Sequence, residues 1–273
     1  MPLVKILKDN LGQIFAITEK NIKMNLRYKF NMIFSLIYPI IAIIMPIIIL
    51  NKFFEFNAKF GPWNETNFLV FLFMAYNITL LSKLITVFPS QFKVEKYWYT
   101  LQSIIIAPFN RINLLFGILI SELIMISIPF TVFITLCYLY YPISLSTLLM
   151  IFSMFFMIAL LFSGTGLILG VFAISNENLL VLLNFIISII IMFSCITFPY
   201  QIFPKIIQNF VDLNPLYYIF DVIRLTWIED NVLHSIYSHS FHFILLISLS
   251  ISMPIIGVIC FNLIYKKYGI VGY

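Results

Sequence analysis

Charge is what this sequence has least of. Only 10% of its 273 residues are Asp, Glu, Lys or Arg, while 62% are hydrophobic, at a mean hydropathy of +1.04. A water-soluble domain needs charged side chains over much of its surface, so this scarcity excludes one and predicts an integral membrane protein. Glycine (9) and proline (12) are modest, and the apolar runs are long rather than alternating. Helices that satisfy their own backbone hydrogen bonds in lipid are therefore expected, and barrel strands are not. The expected fold class is all-α. Cysteine is scarce too: Cys137, Cys195 and Cys260 each fall in a separate apolar run, which excludes a disulfide framework and a cysteine metal motif. The net charge of +5 comes from basic residues scattered at the ends of apolar runs, where they anchor helices to headgroups, so no nucleic-acid partner is expected.

Several motifs are missing as well. Without a G-x-x-x-x-G-K-[ST] loop the chain has no cradle for nucleotide phosphates, and without G-x-S-x-G or H-E-x-x-H it lacks the common hydrolase and metalloprotease signatures. No catalytic residue is assigned, and no cofactor is expected in this chain. The histidines cluster in "HSIYSHSFH" as His234, His239 and His242. With no carboxylate or thiolate beside them in sequence to complete a coordination shell, no metal site is expected. No cleavable signal peptide is expected either, because the amphipathic basic start runs into an apolar stretch lacking a small-residue cleavage site.

What is present is a series of spans. At roughly 20 residues per bilayer crossing, six transmembrane helices are predicted, at 31–50, 68–88, 114–140, 146–172, 179–198 and 242–264. The chain reads as a single transmembrane domain over 1–273. Six crossings put both termini on one side, and the distribution of basic residues selects it. Lys5, Lys8, Lys20, Lys23, Arg27, Lys29, Lys93, Lys96, Arg111, Lys266 and Lys267 fall on one face, against Lys52, Lys59, Lys205 and Arg224 on the other. Both termini are expected in the cytoplasm of a multi-pass cell-membrane protein, with Lys83 snorkelling from the inner end of the second span.

Two segments outside the spans carry information. Residues 3–29 place Leu7, Leu11, Ile14, Thr18 and Ile22 at steps of three or four with lysines around the rest of the wheel, the pattern of a helix lying along the headgroups. Residues 199–228 are too apolar for a loop and too broken by Pro199, Pro204 and Pro215 for a span. Short re-entrant helices in the outer leaflet are expected there. Within the spans, Glu122 is an intramembrane carboxylate and so a functional candidate, weighed against a structural pairing with a neighbouring span. Asp221 and Arg224 have the i,i+3 spacing of a local ion pair. Ala159, Ser163, Gly166 and Gly170 form a small-residue face that suits close packing inside the bundle.

Between the second and third spans lies "EKYWYTLQSIIIAPFNR", residues 95–111, a polar and aromatic cassette. Together with an amphipathic N-terminal helix, a broken outer segment and a sixth span, it resembles the permease subunits of type-2 ABC exporters, which move drugs, lipids or polysaccharides. In that family the cassette reads acidic-basic-acidic, then Gly-Thr-Leu-Glu, an apolar run, Pro and a basic residue. Glu95 and Lys96 match its start, Thr100 and Leu101 its middle, and Pro108 and Arg111 its end. Tyr99 and Gln102 depart from the family's glycine and glutamate. "NPLYYIFDVIR" is similar to the family's Asn-Pro-Leu stretch, through Asn214, Pro215, Leu216 and Arg224.

The resemblance implies a transport subunit that is not itself an enzyme. It would pair with a second permease copy as a homodimer and with two ABC ATPase subunits, which bind ATP and Mg. Segment 92–111 would form a cytoplasmic coupling helix, in which Glu95, Lys96, Tyr97 and Trp98 meet the ATPase. Asn214, Pro215, Asp221 and Arg224 would border the exit, and membrane lipid would surround the whole. The alternative is a stand-alone ion-coupled carrier or channel using Glu122, which would lack paired intramembrane charges and repeated halves.

Overall fold

Long apolar runs, even ones as rich in β-branched isoleucine as residues 40–50, fold as helices where lipid covers them because a helix satisfies its own backbone hydrogen bonds, and proline and asparagine set where helices start. The computed structural model describes residues 2–27, 29–55, 60–97, 111–175 and 177–268. The helices are α1 (Pro2–Arg27), α2 (Lys29–Glu55), α3 (Phe68–Ser82), α4 (Leu84–Tyr97), α5 (Arg111–Tyr140), α6 (Leu145–Ser175), α7 (Glu177–Met192), α8 (Lys205–Asp212), α9 (Pro215–Glu229), α10 (Val232–Ser238) and α11 (Ser240–Tyr268), with a 3-10 turn at Tyr200–Ile202. Among the described residues the only β contact is an isolated bridge between Phe60 and Trp63. The protein is all-α.

Among the described residues four stretches are long and apolar enough to cross a membrane: Phe68–Tyr97, Ile112–Tyr140, Leu145–Ile174 and Ser240–Leu263. The first is α3 and α4 read through their junction, so the helix expected to stop near 88 continues to Tyr97. Lys83 interrupts it by a single residue, whose backbone N–H turns to Leu80. The fifth expected span also differs. Its helix, α7, ends at Met192 after 16 residues, and the chain turns at Cys195, whose φ is +54°.

Helix α6 is the centre of the bundle, with α11 on one side and α4 on the other. Its small residues explain how two helices reach it at once. A Cβ on Gly166 would lie 2.4 Å from the Leu84 carbonyl oxygen, and one on Gly164 would lie 2.4 Å from the Pro254 nitrogen. Backbone meets backbone on both sides, so the small-residue face is used inside the chain. Above it, Phe71, Tyr76, Phe162, Phe220 and Trp227 are fully buried.

The proline-broken segment forms two helices because its prolines sit where helices begin. Pro204 precedes α8 and Pro215 opens α9, positions at which a missing N–H costs nothing. Asn214 caps α9, its side chain accepting from the Leu216 N–H. Topology then places α8, α9, α10 and the Phe60–Trp63 turn at the end of the bundle remote from α1.

Candidate functional site

Polar side chains in this bundle gather at its two ends, and they do so differently. At the first end α1 lies across α4 and α5. Its packed face carries polar residues: Thr18 and Asn21 are buried, while Leu11 and Phe15 are exposed. Lys20 bonds the carboxylate of Glu95, which is itself buried. Asn21 accepts from Gln91 at 2.9 Å, and Asn113 donates to Asn10 at 2.8 Å and to Gln13 at 2.7 Å. Thr18 donates to the Gly117 carbonyl at 3.1 Å, where glycine lets Ile17 approach so closely that a Cβ would sit 2.7 Å from it. Each partner lies in the last turns of α4 or the first turns of α5. Five polar side chains of one helix thus bind both arms flanking residues 98–110.

The same seam reaches Glu122. Asn25 donates to its carboxylate at 3.0 Å, and Lys83 interacts with it electrostatically. The Lys83 ammonium is buried and has no hydrogen-bond partner among the described residues, so it turns inward instead of snorkelling to the headgroups. Glu122 therefore belongs to a three-helix polar cluster tied to α1.

At the opposite end side chains bind backbone. Arg224, 1% exposed, donates to the carbonyls of Cys195, at 2.9 Å, and of Ile196, and its guanidinium stacks on Phe71 at 3.9 Å. These carbonyls lie just beyond the end of α7, where no further helical turn offers them donors. Asn214 performs a related task, donating to the Ile190 carbonyl at 2.6 Å while capping α9. Asp221 stands one turn from Arg224, and the guanidinium's hydrogen bonds go to the chain break. Trp227 donates to Tyr141 at 3.1 Å, and Asp230 accepts from the Ser144 N–H at 2.7 Å, fastening α9 to the α5–α6 turn.

The histidines acquire a carboxylate from only five residues before His234. Glu229 reaches His239 at 2.8 Å and His234 at 3.5 Å, and accepts from Ser235. Glu229 closes α9 whereas the histidines lie beyond the next turn, so their meeting depends on the left-handed Asp230, φ +44°, that reverses the chain between them. Burial pushes the Glu229 carboxyl up, but bonds from Ser235 and His239 outweigh it and hold the group below its ordinary value. Among the described residues no group of three ligands has metal-binding geometry.

Of the residues singled out from sequence, Glu95, Lys96 and Tyr97 form the last turn of α4, with Tyr97 79% exposed. Arg111 opens α5. Trp98, Thr100, Leu101 and Pro108, with Tyr99 and Gln102, lie outside the described residues. Asn214, Pro215, Asp221 and Arg224 come together on α9. The seam partners Gln91, Asn113 and Asn25 were missed, since polar residues near helix ends also suit a wet surface. Their signal was the run of Asn, Gln and Thr at helical spacing along α1, opposite its lysines.

A search of curated proteins finds no match to this chain. The family model of the ABC-2 type transporter matches residues 12–227, from the first turns of α1 to Trp227 near the end of α9. It covers most of both polar ends and every helix between them, and the chain belongs to the ABC-2 type transporter family.

Proposed function

We propose that this chain is the membrane-spanning half of an ATP-driven exporter. Two copies form the substrate route and two separate ATPase subunits, holding ATP and Mg, drive it. The six spans are residues 31–50 within α2, then α3–α4, α5, α6, α7 extended by residues 193–198, and α11. Helices α8 and α9 re-enter the outer leaflet, and both termini are cytoplasmic. The observation that carries this reading is the polar seam bracketing residues 98–110. A short segment pushed by a partner transmits force only if its two arms move as one body, and α1 fastens both arms through Glu95, Gln91, Asn113 and Gly117. ATPase closure would bias the bundle between two states, as any such coupling requires.

Within this scheme the cassette residues divide by task. Tyr97, exposed at the end of α4, together with Trp98, Thr100, Leu101 and Pro108, supplies contact to the ATPase, with rigid aromatic rings as anchors. Lys96 and Arg111 flank that contact with charge. Glu95 faces α1 and stiffens the joint. Asn214, Pro215, Asp221 and Arg224 hold the outer gate around the broken end of α7. The test is reconstitution of the full chain with its ATPase in vesicles. Tyr97→Ala with Trp98→Ala should abolish recovery of the ATPase, while Glu95→Ala should leave the ATPase bound and hydrolysing but lower transport per ATP consumed. Undiminished transport in both variants, or wild-type transport without any ATPase, would overturn the proposal.

A further inference from the structure

Helix α7 packs chiefly on α6 among the long helices, and it encloses a cleft of about 770 Å³ between itself, α6 and α11, roofed by α8 and the start of α9. One wall is Phe162, Thr165, Ile168 and Phe172 of α6, and the other includes Leu183 and Ile187 of α7. Phe210 and Leu213 close its outer end. Among the described residues only two that line it are polar, Thr165 and Asn214. Thr165 donates to the Phe162 carbonyl at 2.9 Å, and Asn214 is occupied by Ile190 and Leu216. The cleft therefore offers a ligand very few polar partners, and burying a charged or hydroxylated group inside it would be costly.

We propose that this cleft binds one hydrocarbon chain of a membrane phospholipid from the leaflet that holds α8 and α9. The lining from Leu161 to Phe172 rises roughly 16 Å along a helix at 1.5 Å per residue. That is close to the roughly 15 Å depth of one leaflet's hydrocarbon. A volume of several hundred Å³ lined by hydrocarbon is a ligand site by size and chemistry. Lys205, exposed at the start of α8 on the roof of the cleft, stands where the phosphate of such a lipid would emerge. A second copy of the chain does not fill the space. The residues of α7 most open to a neighbour, Val181, Phe185 and Met192, are 66%, 64% and 65% exposed. They form a stripe offset by about 200° from Leu183 and Ile187, so a copy docked there leaves the cleft behind α7 untouched. The site goes beyond the coupling mechanism and does not depend on it, since it needs neither ATPase nor transport.

The test places the full chain in nanodiscs of a phospholipid bearing a photoreactive diazirine near the chain terminus, with labelled residues mapped by mass spectrometry. Label is expected on Thr165, Ile168 and Ile187. In Thr165→Phe with Ile187→Phe that label should fall about tenfold or more, since losing the burial of about two methylenes already lowers affinity by that factor. Label on Ile244 and Ile251 of α11, which are exposed, should stay unchanged. Native mass spectrometry of the unaltered chain, expected to retain a bound phospholipid, keeps the test decisive if the double variant does not fold. Equal labelling of cleft and exposed residues, or an unlabelled cleft with Ile187→Cys disulfide-linked between copies, overturns the proposal. Absence of an ATPase from the same preparation bears on the exporter reading alone.

Discussion

The two ends of the bundle use polar groups in different proportions, mostly side chain to side chain at one and mostly side chain to backbone at the other. Around α1, side chains bind side chains across three helices, as in Lys20 to Glu95, Gln91 to Asn21 and Asn113 to Gln13. Around α9, side chains bind backbone, as in Arg224 to Cys195 and Ile196, Asn214 to Ile190 and Trp227 to Tyr141. Bonds between flexible side chains can be exchanged when helices shift, at a net cost of about 1 kcal/mol each. Bonds that cap broken backbone have no substitute in lipid, where an unsatisfied carbonyl finds no water. The first end is thus built as a joint and the second as a fixed frame, and substitutions should tell them apart.

The largest loss is expected from Arg224→Met. It keeps apolar volume over Phe71 but strands the Cys195 and Ile196 carbonyls, costing roughly 3 kcal/mol for two charge-assisted bonds. Thermal unfolding in detergent, read by a thiol-reactive dye, checks this directly because Cys137 and Cys195 are both buried. Cys195 should react well before Cys137 in the variant, since the break at the end of α7 loosens first. Simultaneous exposure of both would show that the guanidinium supports the whole bundle and not the break.

Asn214→Ala comes next, at about 1–2 kcal/mol, the usual cost of losing a helix N-cap with a second backbone bond. Its effect should add to that of Arg224→Met less than independently, because both residues bind the same end of α7. At the other joint, Lys20→Met and Glu95→Gln form a double-mutant cycle with a coupling of about 1 kcal/mol, reduced because Lys20 is half in solvent. The Lys20 side chain is 45% exposed and that of Glu95 6%, so Glu95→Gln alone should cost more than Lys20→Met alone. A coupling near zero would mean that Asn21, Thr18 and Asn113 hold α1 without the ion pair.

Much of the fold was legible because lipid leaves few choices. Apolar length alone located the long helices, and the prolines of residues 199–228 marked a segment of short helices, whereas the capping of α9 by Asn214 is a finding of the structure. What escaped was set by pairing in space. The apolar stripe of α1 pointed to a helix lying along the headgroups, but nothing in it reports that Thr18 and Asn21 would pack inward on polar partners of α4 and α5 while Leu11 stays exposed. Lys83 looked like a snorkelling anchor because its distance to the helix end is visible in sequence, whereas Glu122, its charged neighbour, lies on another helix. Glu229 escaped for the same reason: a left-handed residue returns the chain on itself, and no periodicity reports that.

The smallest effect is electrostatic and lies at the frame end. Glu229 holds His234, His239 and Ser235 of the returning chain, and its carboxyl is depressed below the ordinary 4.5. A carboxyl whose folded value is lowered contributes stability that is present above its unfolded value and lost as pH falls through the folded one. The contact between α9 and the start of α11 should therefore loosen only in acid, below about pH 4.5. Hydrogen exchange at amides 232–243 should quicken across that window, while amides of α6 stay protected. In Glu229→Gln the same amides should exchange faster at neutral pH and show no further change in acid. An acid step that persists in Glu229→Gln would assign the titration to Asp230, the other carboxylate held low at this turn, by its bonds from Ser144.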